Sequence, residues 1–233
     1  MRLLAAVIAL FGLILAGGGA AALVADSDAR SAEINWLDMV KRQAFAADAV
    51  RLQPWNASYR DAYAGLLAAS GEGAAVASAR VQVQSALQLG PGDAELWLHW
   101  EDFIAHTAPE DRALPAVARQ VDQLAPNEPE LQFGQAELAL QTWQLASPEA
   151  QAAWMKSLRY ALRHDRAGFL LHSFRAAEET NLCESASALD LRDWCRLARQ
   201  TRIGCARGGL NPTQTQFCRL MGSASTADSA DIP

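Results

Sequence analysis

Hydrophobic residues recur along this chain at helical spacing, and the helices are punctuated by one short phrase written three times. Residues 49–59 read AVRLQPWNASY, residues 86–97 read ALQLGPGDAELW and residues 121–133 read VDQLAPNEPELQF. Each runs through Leu, then Pro, then Asn or Asp, to a large apolar residue. The prolines, Pro54, Pro91 and Pro126, are 37 and 35 residues apart. A residue preceding Pro is pushed out of the helical region, so a helix ends at Leu52, Leu89 and Leu124. Asn or Asp then offers a side-chain oxygen to the free N–H groups of the next helix. A phrase recurring at about 34–40 residues marks a stacked array of helical hairpins.

Between the phrases the pattern predicts helices over 31–52, 56–69, 74–89, 93–106, 110–124, 128–145, 148–163, 167–180 and 187–201. In the first, Ser31 caps the start and Trp36, Met39, Val40, Ala44, Ala47 and Val50 form the buried face. Tyr59, Tyr63, Leu66 and Leu67 share one side of the second. Asn56-Ala57-Ser58 matches a glycosylation acceptor, but Asn56 is better read as a helix cap. Ser70-Gly71-Glu72-Gly73 is a turn, and Asp93 caps the fourth helix. Pro115 makes 110–124 irregular, Asn127 or Glu128 opens the next helix, and Ser147-Pro148 is a strong helix start. Expected core positions are Leu96, Trp97, Trp100, Phe103 and Ile104, then Leu131, Phe133, Leu138, Leu140 and Trp143, then Trp154, Leu158 and Leu162. The seven tryptophans could stack on a sugar, but at helical spacing they read as interhelix packing.

One stretch breaks the amphipathic rule. Residues 3–25 carry no charge over 23 positions, enough for a membrane span, which needs about 20. Arg2 precedes it and Asp26 and Asp28 follow, so the N-terminus stays in the cytoplasm and the remainder is exported. A cleaved signal peptide, with Ala20-Ala21-Ala22 at the cleavage site, is the rival. The expected layout is a 1–25 anchor, a 31–180 repeat domain, a 181–220 cysteine-bearing cap, and a small polar tail over 221–233 that composition marks as disordered.

Composition agrees with an all-α class: Ala and Leu are abundant and half the chain is apolar. The four cysteines, Cys183, Cys195, Cys205 and Cys218, all fall in the last quarter. Behind an export segment they read as two disulfides in an oxidising compartment. Three pairings are open, and Cys183–Cys195 with Cys205–Cys218 closes the shortest loops. Zinc is disfavoured because ribbons want C-x2-C pairs.

The net charge of −6 hides an asymmetry. Residues 26–154 hold 18 acidic and 8 basic residues, whereas 155–219 hold 6 acidic and 11 basic. Lys156, Arg159, Arg163 and Arg166 share one helical stripe, as do Arg192, Arg196 and Arg199. Arginine grips carboxylate or phosphate with paired bonds, so this is the candidate face for an anionic partner such as an acidic polysaccharide, a lipid head group or an acidic protein. The alternatives are a solvated face or pairing with the acidic repeats of the same chain.

No hydrolase elbow, zinc-protease motif, phosphate loop or dinucleotide fingerprint is present. Glu101-Asp102, Glu110-Asp111 and Glu178-Glu179 are adjacent pairs that point apart on a helix and read as surface, and His99 and His106 read as solvent-facing. The expectation is a non-enzyme with no cofactor, no metal and no nucleic-acid partner.

The A-x-x-L-x-P-x-[ND] phrase, with proline at the helix end, resembles the tetratricopeptide repeat over about residues 40–145. The step exceeds 34 residues, and the signature inside each first helix is reduced to a trace at Tyr63-Ala64-Gly65-Leu66. The whole layout, with the terminal block NLCESASALDLRDWCRLARQTRIGC, looks like the VpsP-type accessory proteins of bacterial exopolysaccharide clusters. That resemblance implies a single-pass inner-membrane scaffold whose periplasmic domain holds envelope or polysaccharide-assembly proteins together. The alternative is a periplasmic chaperone-like or translocon-associated repeat protein that binds exported clients.

Overall fold

The computed structural model describes residues 19–32 and 39–164, with residues 195, 196, 200 and 203 beyond them. Every described element is a helix. Residues 19–32 form α1, followed by α2 (Met39–Leu52), α3 (Ala57–Ala68), α4 (Gly73–Leu89), α5 (Ala94–Thr107), α6 (Leu114–Leu124), α7 (Pro129–Thr142) and α8 (Pro148–His164). The all-α reading holds. The expected helices 167–180 and most of 187–201 lie outside the described residues. Within the stretch expected as one array, the chain divides into two compact units, Met1–Phe103 and Ile104–Pro233.

The three phrases fold into three copies of one turn. α2, α4 and α6 end at Leu52, Leu89 and Leu124. In each case the N–H of the residue before proline still reaches the carbonyl four back: Gln53 to Ala49, Gly90 to Ala86 and Ala125 to Val121, all 2.9 Å. That residue then leaves the helical region, with φ/ψ −130/62 at Gly90 and −138/64 at Ala125. Three residues on, Asn56, Asp93 and Glu128 donate N–H back to the carbonyls of Gln53, Gly90 and Ala125 at 3.0, 3.1 and 3.4 Å. Asn56 and Asp93 cap the helices that follow, accepting from Tyr59 N at 3.3 Å and from Glu95 N at 3.0 Å. Glu128 makes no side-chain cap, but Pro129 stands in the first turn of α7 and has no N–H to satisfy.

A second repeated feature is invisible in the residue types. Six residues after each proline, a side chain reaches back into the turn. Arg60 Nε donates to the Pro54 carbonyl at 2.8 Å and Trp97 Nε1 to the Pro91 carbonyl at 2.9 Å. Gln132 Nε2 is 3.4 Å from the Ala125 carbonyl. An arginine, a tryptophan and a glutamine thus do the same job in successive hairpins.

In the first unit, α3 packs most extensively on α4 and also against α2. The contact faces are small: Ala46, Ala49 and Val50 on α2, Ala64 and Leu67 on α3, and Ala79, Val83, Ala86 and Leu87 on α4. The α3–α4 turn needs Gly71, whose φ of +69° is a conformation other residues rarely adopt. Trp100 stacks on Phe103 at 5.6 Å, with the Arg80 guanidinium 5.5 Å from the Trp100 ring centroid.

The start of this unit departs from expectation. Residues 33–38 of the expected helix 31–52 lie outside the described residues, and Ser31 stands within α1, where its hydroxyl donates to the Ser27 carbonyl at 2.8 Å and does not cap a helix start. The buried face of α2 is rotated. Val40 is 75 % exposed and Ala44 is also exposed, while Ala46 and Ala49 go inside. Small side chains win those positions because they let α2 and α3 approach closely. Residues 19–25 of the expected membrane span lie in α1 and residues 3–18 lie outside the described residues; among the described residues, no helix is long and apolar enough to cross a membrane.

The second unit is held by α6, α7 and α8, with α8 packed on both of the others. Pro115 does not distort a helix that began at 110. The helix begins at Leu114, with proline in its first turn, and Asp111 Oδ1 accepts the Ala113 N–H at 2.9 Å in the preceding turn. α7 stops at Thr142, short of 145, where the Thr142 hydroxyl bonds back to the Leu138 carbonyl at 2.8 Å. Ser147 accepts from Ala150 N at 3.3 Å and opens α8 as expected.

The core of this unit is partly polar. Gln132, Gln135 and Ser157 are buried. The Ser157 hydroxyl lies 2.8 Å from Gln135 Oε1 and 3.1 Å from Gln132 Oε1. Gln135 Nε2 donates to the Ala118 carbonyl at 3.0 Å and Gln132 Nε2 to Asp122 Oδ1 at 2.9 Å. Lys156 Nζ reaches the same Asp122 oxygen at 2.8 Å. Every bond in this set links one of the three helices to another, so their register is fixed by pairing as well as by shape.

Two outcomes follow for stability. Asp93→Ala and Trp97→Phe should each cost about 1 kcal/mol in urea unfolding of the full chain, by loss of a cap or of a turn hydrogen bond; changes below ~0.3 kcal/mol would show the turns are held by packing alone. Ser157→Ala, close in volume, should cost about 1–3 kcal/mol by leaving buried amide groups underpaired, and an unchanged melting temperature would contradict the network's role.

Candidate functional site

α1, α2 and α3 leave a cleft of about 500 Å³ between them, within the first unit. Each helix lines it with residues three or four apart, as one helical face must. α1 supplies Asp26, Ala29, Arg30 and Ala32; α2 supplies Met39, Arg42, Ala46 and Ala49; α3 supplies Ser58, Tyr59, Ala62, Gly65, Leu66 and Ala69. The side chains at the centre are small, and the space they leave is the cleft.

Its polar groups are few. Arg30 pairs with Asp26 at 2.6 Å, one turn apart on α1. Arg42 Nε donates to the Ala32 carbonyl at 2.6 Å, which satisfies one of the last carbonyls of α1 and fixes the guanidinium. Among the described residues, no carboxylate pairs with Arg42. Gln43 Nε2 donates to the Leu66 carbonyl at 2.9 Å and ties α2 to α3. Burial raises the Tyr59 phenol above its ordinary value; Asp26 adds to the rise and Arg30 opposes it.

The cleft lining contains no His and no Cys, and its one carboxylate, Asp26, is already paired. Ser58 therefore has no base beside it in that lining. Such a lining offers shape and two arginines, of which Arg30 is paired with Asp26. Among the described residues no group of three or more His, Cys, Asp or Glu side chains could hold a metal ion.

The residues singled out from sequence are distributed differently. Lys156 is bound to Asp122, an internal acidic partner. Arg159 and Arg163 are exposed on α8, and Arg196 is exposed among the few later described residues. Arg166, Arg192 and Arg199 lie outside the described residues, as do Cys183, Cys205 and Cys218. Of the tryptophans, Trp100, Trp143 and Trp154 are buried as core residues, Trp97 is half-buried and Trp55 is 68 % exposed.

Two expectations are corrected. Glu101 is fully buried and is no surface residue. His99 does not simply face solvent: its Nδ1 lies 2.6 Å from Asp61 Oδ2, joining α5 to α3 across 38 residues, close to one repeat step. The cleft itself went unread in the sequence. Its signal is alanine at helical spacing, which also reads as ordinary close packing.

No protein-family model, curated protein or solved structure matches this chain.

The hydrogen bond that His99 Nδ1 donates to Asp61 favours the imidazolium and raises the His99 pKa; burial opposes this, and the charges of Asp61, Glu95 and Asp102 add to the rise. A raised folded-state pKa makes the pair's stabilisation complete below the ordinary histidine value of ~6.5 and lost as pH climbs through the folded value. The His99 side chain is 47 % exposed, so solvent screening limits the pair to roughly 0.5 kcal/mol. Wild type should therefore exceed His99→Gln in urea stability at pH 6 and match it at pH 9; a gap independent of pH would assign His99 to packing.

Proposed function

We propose that the protein is a non-enzymatic scaffold, anchored in the bacterial inner membrane by residues 3–25, whose helical hairpins stand in the periplasm and hold proteins of an envelope assembly. The observation that carries this is the turn repeated at Pro54, Pro91 and Pro126. Hairpins joined by equal turns spread a binding surface over several elements. The cleft adds binding chemistry and no nucleophile–base pair. Trp55 stands exposed in the first turn and Val81 on α4; exposed tryptophan is enriched at the centres of protein interfaces.

Exopolysaccharide biosynthesis or export is the setting implied by the resemblance of the layout to VpsP-type proteins. The disulfide-stapled cap and the periplasmic location belong to the same proposal. Arg159 and Arg163, exposed on α8, remain candidate contacts for an acidic polymer together with Arg166 beyond the helix, with Lys156 bound to Asp122.

Crosslinking in intact cells, followed by mass spectrometry, tests this with the full-length protein and a Trp55→Ala variant. Capture of glycan-assembly membrane proteins, reduced severalfold by Trp55→Ala, is the expected result. A broad catch of exported polypeptides, indifferent to that change, would overturn the scaffold and favour client binding.

A further inference from the structure

The cleft of the first unit has three features that belong together: an alanine-rich lining, one cation with no carboxylate partner among the described residues, and a position directly after an apolar surface. Six of the lining residues are alanine, and Met39 and Leu66 add larger apolar side chains. The cation is Arg42, whose Nε is committed to the Ala32 carbonyl at 2.6 Å. That bond leaves the two terminal NH2 groups with donors to spend, in a fixed fork suited to an oxyanion. The apolar surface is on α1, where Leu23 is 75 % and Val24 51 % exposed, one to two turns before the cleft residues Asp26, Ala29 and Arg30.

The depth agrees. Ala25 is the last residue of the uncharged run. At 1.5 Å per helical residue, Arg30 and Ala32 stand about 7–11 Å beyond it. The headgroup layer is roughly 5–8 Å thick on each face of the hydrocarbon core. With the run spanning the bilayer, Arg30 and the Ala32 carbonyl that Arg42 holds stand at the outer edge of the headgroup layer, from which long arginine side chains can snorkel toward the phosphates, and Leu23 and Val24 meet the hydrocarbon. A cleft of about 500 Å³ falls in the range of small-molecule sites, ~300–1,000 Å³.

We propose that the α1–α2–α3 cleft binds one membrane phospholipid of net negative charge, with a hydrocarbon chain on the alanine-rich lining and the anionic headgroup on Arg42. The site goes beyond the scaffold function and rests on the part of that proposal that places residues 3–25 in the bilayer. It makes the first unit a lipid-dependent platform: occupancy fills the space between α1 and α2–α3 and fixes the domain against the membrane. Arg30, already paired with Asp26 at 2.6 Å, is a secondary donor.

Full-length protein in mild detergent, offered phosphatidylglycerol or phosphatidylcholine and examined by native mass spectrometry, tests the site. One phosphatidylglycerol should be retained per chain, about tenfold over phosphatidylcholine. Arg42→Gln, which keeps an N–H for the Ala32 carbonyl, should erase that preference, whereas Lys41→Gln beside it should not. Ala62→Leu, which crowds the lining, should lower retention of both lipids about tenfold. Equal retention of the two lipids by wild type, retention unchanged by both Arg42→Gln and Ala62→Leu, or displacement by inorganic phosphate alone would each overturn the proposal. Membrane fractionation after a carbonate wash tests the anchor separately: release of the protein ends the anchoring reading, while the detergent measurement still decides whether the cleft takes lipid.

Discussion

The whole fold depends on how three helices stop. In each, the residue before proline keeps its N–H bonded to the carbonyl four back and then abandons helical φ/ψ, because the proline ring clashes with a helical predecessor. Four residues later a new helix begins. A capping oxygen from Asn56 or Asp93, or the ring of Pro129, removes the cost of the free N–H groups at the restart. The side-chain bonds into the turns, from Arg60, Trp97 and Gln132, then tie the second helix of each pair back to its own beginning.

The two units meet the cost of packing helices in different ways. The first uses small apolar faces, with Ala46, Ala49, Ala64, Ala79 and Ala86 inside; helices come close, and dispersion contacts accumulate along their length. The second buries two glutamines and a serine among its aliphatic residues. A buried amide without a partner is expensive, so such a core tolerates only the arrangement that pairs its groups. The indole N–H of Trp143 is the exception, buried with no hydrogen-bond partner.

The cleft is a consequence of the alanine packing. Faces small enough to let α2 and α3 touch leave space where α1 is added, because alanine cannot fill the gap between three cylinders. Arg42 spans from α2 to the end of α1 across that space. The same residue thereby links α2 to α1 and puts a positive charge among the alanines of the lining.

The sequence alone determined what is local. Helix ends at Leu52, Leu89 and Leu124, caps at Asn56, Asp93 and Ser147, and the all-α class follow from proline sterics and from short-range side-chain bonds, which act within a few residues. Buried positions such as Trp100, Leu138, Trp154 and Leu158 followed from helical period. Tertiary structure alone decided which face of α2 turns inward, that Glu101 is buried, and that His99 meets Asp61. These depend on the neighbouring helix, and an alanine or a charged residue reads the same at an interface as on a surface. The cleft and the role shared by Arg60, Trp97 and Gln132 lie furthest from sequence: one is made by atoms that are missing, and the other by three side chains with nothing in common except an N–H at the right height above a proline.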